Sequence, residues 1–158
     1  MANKVLMQEE TPIVWAASGG DYALTLSSVS AGAVRVGQRG DLGAAPRSRL
    51  YRWRYVNDSF GSAPTVGQTV DVYWAASDGT YADGNVGTSD AAGSTVALPN
   101  LLFLRSATVQ TTSTTDDIII SGIVELADQY GAPVIDNNTS VTITGGRFEL
   151  VPIPDEIQ

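Results

Sequence analysis

The sequence predicts an all-β protein, an antiparallel β-sandwich of jelly-roll or immunoglobulin-like type, and three observations carry that reading. Apolar and polar residues alternate over short stretches, the period of a strand with one buried face. No stretch sustains the i, i+3, i+4 apolar spacing of an amphipathic helix. Gly and Pro, 16 and 7 of the 158 residues, punctuate the chain at short intervals. A chain of 158 residues fits one domain, 1–158, and buries a real core without disulfide or metal staples.

Element by element, the chain opens on a segment, 1–11, with too little apolar surface to fold by itself, and it reads as an extended arm. Tyr22, Leu24 and Leu26 then alternate with Ala23 and Thr25. Tyr51, Trp53 and Tyr55 alternate with Arg52 and Arg54, and Val70, Val72 and Trp74 with Asp71 and Tyr73. Further strand-like runs are Leu101–Gln110, Asp117–Leu126, Ser140–Thr144 and Arg147–Ile153. Turn signals separate them at Gly19-Gly20, Asp78-Gly79, Asp83-Gly84, Asp136-Asn137-Asn138 and Gly145-Gly146. From Asp78 to Asn100 the composition is rich in Gly, Ala, Ser and Asp, which predicts one long loop with little to bury. The end, 152–158, carries Pro152 and Pro154 and reads as a second extended arm. Docked on a neighbour, Val5, Leu6, Ile153 and Ile157 are the arm residues expected to bury apolar surface.

Composition excludes several functions. The chain has no Cys and no His, which removes disulfides, thiolate chemistry, Ser-His-Asp and Cys-His catalysis and the ordinary zinc site. No cofactor motif is present, neither a P-loop nor a dinucleotide fingerprint. A net charge of −8 opposes general nucleic-acid binding. No apolar run is long enough to cross a membrane as a helix. The start, with Lys4 followed by Gln8-Glu9-Glu10, lacks the form of a secretory signal, so the expectation is a chain made in the cytosol and left unprocessed. Charged residues are only 16%, with a single Lys, so much of the surface is expected to be Ser, Thr, Gly and Ala or to be covered by partners.

The charge is unevenly placed. Between Arg35 and Arg54 stand six Arg against one acid, Asp41, a local +5 that leaves −13 for the remainder. Arg47, Arg49, Arg52 and Arg54 are interleaved with Leu50, Tyr51, Trp53 and Tyr55. One reading is a solvated strand face paired with the protein's own acids; another is contact with an acidic partner surface, for which the planar guanidinium is suited; a third, nucleic acid, is opposed by the acidic remainder of the chain, which would repel phosphate. Other features attract functional readings that ordinary structure explains as well. Arg39-Gly40-Asp41 is an adhesion tripeptide or simply a turn. Asp78, Asp83, Asn85 and Asp90 supply hard oxygen ligands in one loop, without the spacing of an EF-hand. Asp71, Glu125 and Glu149 would serve a glycosidase only if they converged. Trp15-Ala16-Ala17-Ser18 is echoed by Trp74-Ala75-Ala76-Ser77, two similar strand-to-turn corners.

Several segments together resemble a family of small proteins encoded beside the major capsid protein in tailed bacteriophages. They are Ser18–Leu26, Gly37 with Arg39–Gly43, Ala63–Val70, Val72–Ser77, Tyr130–Val134 and the terminal Pro152–Gln158. The Asp78–Asn100 loop departs most from the family. The resemblance implies a structural protein of the virion, a decoration (cement) protein on the outer surface of the head. It implies a β-sandwich body, the major capsid protein as partner, a homotrimer, and no catalytic, cofactor or metal residues. A sugar-binding or tail- and fibre-associated module, with Trp15, Trp53 or Trp74 as stacking platform, is the alternative of a different class; an enzyme is the third.

Overall fold

The computed structural model describes residues 11–45 and 47–153. Val5, Leu6 and Ile157, with most of both expected arms, lie outside the described residues. Eleven strands follow one another: β1 (Ile13–Ala16), β2 (Tyr22–Ala23), β3 (Val34–Val36), β4 (Gly40–Asp41), β5 (Leu50–Phe60), β6 (Thr69–Ser77), β7 (Ala91–Ala92), β8 (Leu102–Thr108), β9 (Ile118–Glu125), β10 (Tyr130–Asn138) and β11 (Ile143–Pro152). They form two sheets. The first runs β2-β1-β11-β5-β9; the second runs β7-β3-β10-β6-β8, with β4 also on β10. All pairings are antiparallel except the short β1–β2 pair. The all-β sandwich read from the sequence is the fold.

The core between the sheets is aromatic. Trp15, Tyr51, Trp53, Tyr55, Phe148 and Leu150 come from the first sheet, and Val70, Val72, Trp74, Ala107 and Ile135 from the second; all are buried. Phe148 is the hub, its ring 6.0 Å from Trp15, 6.1 Å from Trp53 and 6.1 Å from Trp74. Trp15 and Trp74, the two tryptophans of the echoed corners, meet edge to face at 5.6 Å, an arrangement the ring quadrupoles favour. Each indole also lies against a glycine: a Cβ would stand 2.4 Å from Trp15 on Gly40 and 2.4 Å from Trp74 on Gly131. Both glycines are therefore required by space alone.

Three readings of the chain need correction. Asp136-Asn137-Asn138 is not a turn; it ends β10, a strand at the heart of the second sheet. Gly131 and Pro133 disguise β10 as a loop. Pro133 is tolerated because its carbonyl, and hence its missing N–H, faces the gap between β3 and β4, where Gly37 N–H donates to the Pro133 carbonyl at 2.9 Å. Gly145-Gly146 is likewise no turn but a register shift within β11. The second arm begins later than expected: Pro152 closes β11, and Ile153 N–H donates to the Leu50 carbonyl at 2.8 Å.

The stretch from Asp78 to Asn100 also does more than a bare loop. It holds β7 and two single helical turns, Asp83–Asn85 and Leu98–Asn100. It folds over the outer face of the second sheet, where Leu98 and Leu101 with Val86 pack on Val34, Val36, Ala75 and Val134 in a second, smaller core. Asp90 pins it down. Its carboxylate accepts from Arg35 Nε at 2.6 Å and from the Thr25 N–H and hydroxyl. Burial pushes the Asp90 carboxyl up, but the bonds from Arg35 and Thr25 outweigh it and hold it below the usual range. Its folded pKa is depressed, so its contribution is present above the unfolded value near 3.8 and is lost as pH falls through the folded pKa. Asp90→Asn is expected to cost about 2 kcal/mol at neutral pH. In urea titrations from pH 7 down to pH 2, the gap between variant and wild type should close below about pH 4. A gap that persists in acid would mean that the charge is not what holds the loop.

Candidate interaction surface

The alternation of β5 decides what the first sheet shows to solvent. Tyr51, Trp53 and Tyr55 point inward, so Arg52 and Arg54 point outward. On the neighbouring strands the outward residues in register are Val151 and Ile123 beside Arg52, and Glu149 and Ser121 beside Arg54. Ile119 and Ile123 of β9 are 56% and 66% exposed, large apolar side chains left in water. The outer face of this sheet thus combines exposed apolar side chains with Arg52, Arg54 and Arg147 and with the acids Glu125 and Glu149.

Arg49, Arg52 and Arg54 are exposed, and none takes part in an ion pair among the described residues. Glu149, directly across from Arg54, is instead held by Arg147, whose Nε donates to it at 2.8 Å and whose Nη1 reaches Asp58 at 3.4 Å. The bond to Glu149, with the nearby Asp58, pushes the Arg147 guanidinium up. Arg47 has a different fate from its neighbours. It is half-buried, and it donates to the carbonyls of Ser48, Leu126 and Ala127 at 2.9, 3.2 and 2.6 Å, which ties the start of β5 to the end of β9. Ile153 is half-buried on its own chain beside Leu50, and its carbonyl accepts from Ser48.

The other singled-out residues do not assemble. Asp71 faces out of the second sheet, whereas Glu125 and Glu149 face out of the first, so the three carboxylates do not share a cleft. Trp15, Trp53 and Trp74 are all buried, which removes them as stacking platforms. Arg39-Gly40-Asp41 is built into the sheet: Gly40 and Asp41 pair with β10, while Arg39 lies over the Tyr130 ring and donates to the Gly79 carbonyl. Asp78 closes a turn by accepting from the Thr80 and Tyr81 N–H groups, both at 2.7 Å, and Asp90 is held by Arg35, so the loop acids stand apart. Asp78 and Asp83 join Asp128 and Tyr81 around a shallow, open and acidic depression of about 240 Å³.

Ile119 and Ile123 were not singled out by sequence. The signal was present in Ile118-Ile119-Ile120, because a strand at a sheet margin cannot bury both of its faces. No protein-family model matches this chain, and no curated protein matches it.

Proposed function

We propose that the protein is a structural component of a bacteriophage virion, a decoration protein that binds the outer surface of the head and stabilises it. The observation that carries this reading is the outer face of the first sheet, where Arg52 and Arg54, in no ion pair among the described residues, stand among Ile119, Ile123 and Val151. Such a face fits an acidic partner with apolar ground between its charges. Among the described residues no carboxylate pairs with these cations, although the net charge of the chain is −8.

The same chain carries an acidic depression lined by Asp78, Asp83 and Asp128. A face bearing Arg52 and Arg54 and an acidic depression on one molecule suit a head-to-tail contact between copies, which closes into a ring when the rotation allows. A trimer on the capsid lattice is the assembly proposed here, with the major capsid protein beneath it. Nothing in this role requires a catalytic group, a nucleic acid or a membrane.

Each exposed ion pair contributes only about 0–1 kcal/mol, so one copy gains little, but several contacts per oligomer multiply through effective concentration. The double variant Arg52→Gln/Arg54→Gln is therefore expected to fold normally and to lose head occupancy by about tenfold or more in low salt. Occupancy would be measured on purified heads across a salt series, with sedimentation velocity of the free protein alongside. Occupancy and salt slope identical to wild type would sink the proposal for this face.

A further inference from the structure

The outer face of the second sheet holds a polar array that the interaction surface does not use. Val70, Val72 and Trp74 of β6 point into the core, so Thr69, Asp71 and Tyr73 point out. Strand register sets Asp71 directly between Asp136 of β10 and Ser106 of β8. The next row sets Thr69 between Asn138 and Thr108. Two adjacent rows across three strands thus present six oxygen-bearing side chains.

Two of them are carboxylates directly opposite each other, a placement that is unfavourable between like charges. Asp136 is only 5% exposed. Its Oδ1 and the Oδ1 of Asp71 are closed off from water without a hydrogen-bond partner among the described residues. Their Oδ2 atoms share one donor, Asn138 Nδ2, at 3.0 and 3.2 Å. The ion pairs among the described residues lie elsewhere, at Arg35–Asp90, Arg147–Asp58 and Arg147–Glu149. The titratable groups facing Asp136 are Asp71 from β6 and, one place along that strand's outer face, Tyr73; β3 sets Val34 beside it. Burial, and then the charge of Asp71, push the Asp136 carboxyl up, with Asn138 opposing. Two enclosed acceptors with no cation among these neighbours are a strong demand for positive charge.

We propose that Asp71 and Asp136 are the anionic half of a divalent-cation site of the calcium class, completed by neutral oxygens of this array and by water. A proton would satisfy the two Oδ1 atoms and leave the neighbouring oxygens without a role. Calcium takes six to eight oxygen ligands in flexible geometry, and two carboxylates neutralise it. A half-turn of the Asn138 amide offers Oδ1 in place of Nδ2. The array opens to solvent at the exposed Asn138 and Thr108, which gives an ion a way in. With only two charged ligands, affinity is expected in the range of about 0.1–1 mM.

The test uses the full chain, stripped with a chelator and dialysed to neutral pH. Adding calcium chloride to about 10 mM should raise the thermal midpoint by about 5–10 °C in wild type. Asp71→Asn and Asp136→Asn should each abolish that rise, whereas Asp83→Asn, in the acidic depression, should keep it. Both carboxamides are near-isosteric, and each should be at least as stable as wild type without calcium because it ends the like-charge opposition. Terbium luminescence sensitised by Tyr73 reads the site directly: Tyr73→Phe should dim it while keeping the calcium-induced rise. An unchanged wild-type midpoint in calcium would overturn the proposal in favour of a shared proton. An equal rise in the two carboxamide variants would overturn it in favour of general screening of an acidic chain.

Discussion

Replacing Trp74 with alanine is expected to cost about 3–5 kcal/mol, the range for deleting a buried indole from a packed core. For a chain of this length that corresponds to a thermal midpoint lower by roughly 10 °C or more. Trp74 is 1% exposed, meets Trp15 edge to face at 5.6 Å and lies 6.1 Å from Phe148. Its loss therefore loosens both sheets at once. Gly131 sharpens the expectation, because no side chain at that position is available to fill the space vacated by the ring. Trp74→Phe should recover part of the loss. Guanidinium titrations of the three proteins give the ordering directly. A loss under about 1 kcal/mol for the alanine variant would show that the core collapses around the gap and is not rigidly packed.

Two buried asparagines should respond in opposite ways to the same substitution. Asn137 is fully enclosed and knits three segments together. Its Nδ2 lies 2.9, 3.0 and 2.8 Å from the carbonyls of Val29, Ser30 and Val141, and its Oδ1 accepts from the Thr139 N–H and hydroxyl at 3.1 and 2.7 Å. Asn137→Leu removes all of these and leaves the buried Thr139 N–H without its acceptor, so a cost of about 2–4 kcal/mol is expected. Asn57 is just as buried, yet neither its Oδ1 nor its Nδ2 has a partner among the described residues. Its polar atoms lose water on folding and regain nothing, so Asn57→Leu should be neutral or stabilising by about 1 kcal/mol. Equilibrium urea unfolding at neutral pH separates the two. Equal losses in both variants would mean that shape, and not hydrogen bonding, governs these positions.

The contrast between these asparagines also marks how far the chain could be read. Both sit in polar surroundings in sequence, and Asn137 lay in a stretch that looked like a turn. Nothing local distinguishes a hub that binds Val29 and Val141 from an amide left alone. Val29 and Ser30 stand more than 100 positions from Asn137 and reach it only once the fold has closed. The arginines repeat the point. Alternation along β5 put Arg52 and Arg54 on one face and Trp53 on the other, and the structure agrees. That Arg47 instead clamps the Leu126 and Ala127 carbonyls depends on a loop 79 residues away.

What was legible before any fold was known is what a single strand expresses by itself. The period-two runs of β5 and β6 mark their own inner and outer faces, and the absence of His and Cys rules out whole chemistries without reference to shape. What was not legible depends on neighbours. Pro133 is a strand breaker in isolation and a strand member here, because the gap between β3 and β4 requires no hydrogen bond from it. Asp71 and Asp136 look like ordinary solvated acids 65 positions apart, and only the β6–β10 register sets them face to face. The Asp78–Asn100 stretch looks like a loop with nothing to bury until Val86 and Leu98, with Leu101 just after it, find the apolar outer face of β3 and β10. Side-chain alternation is a property of a strand's own backbone, set within a few residues. Register, burial of an outer face and the pairing of charges are long-range, and they exist only once the two sheets have closed.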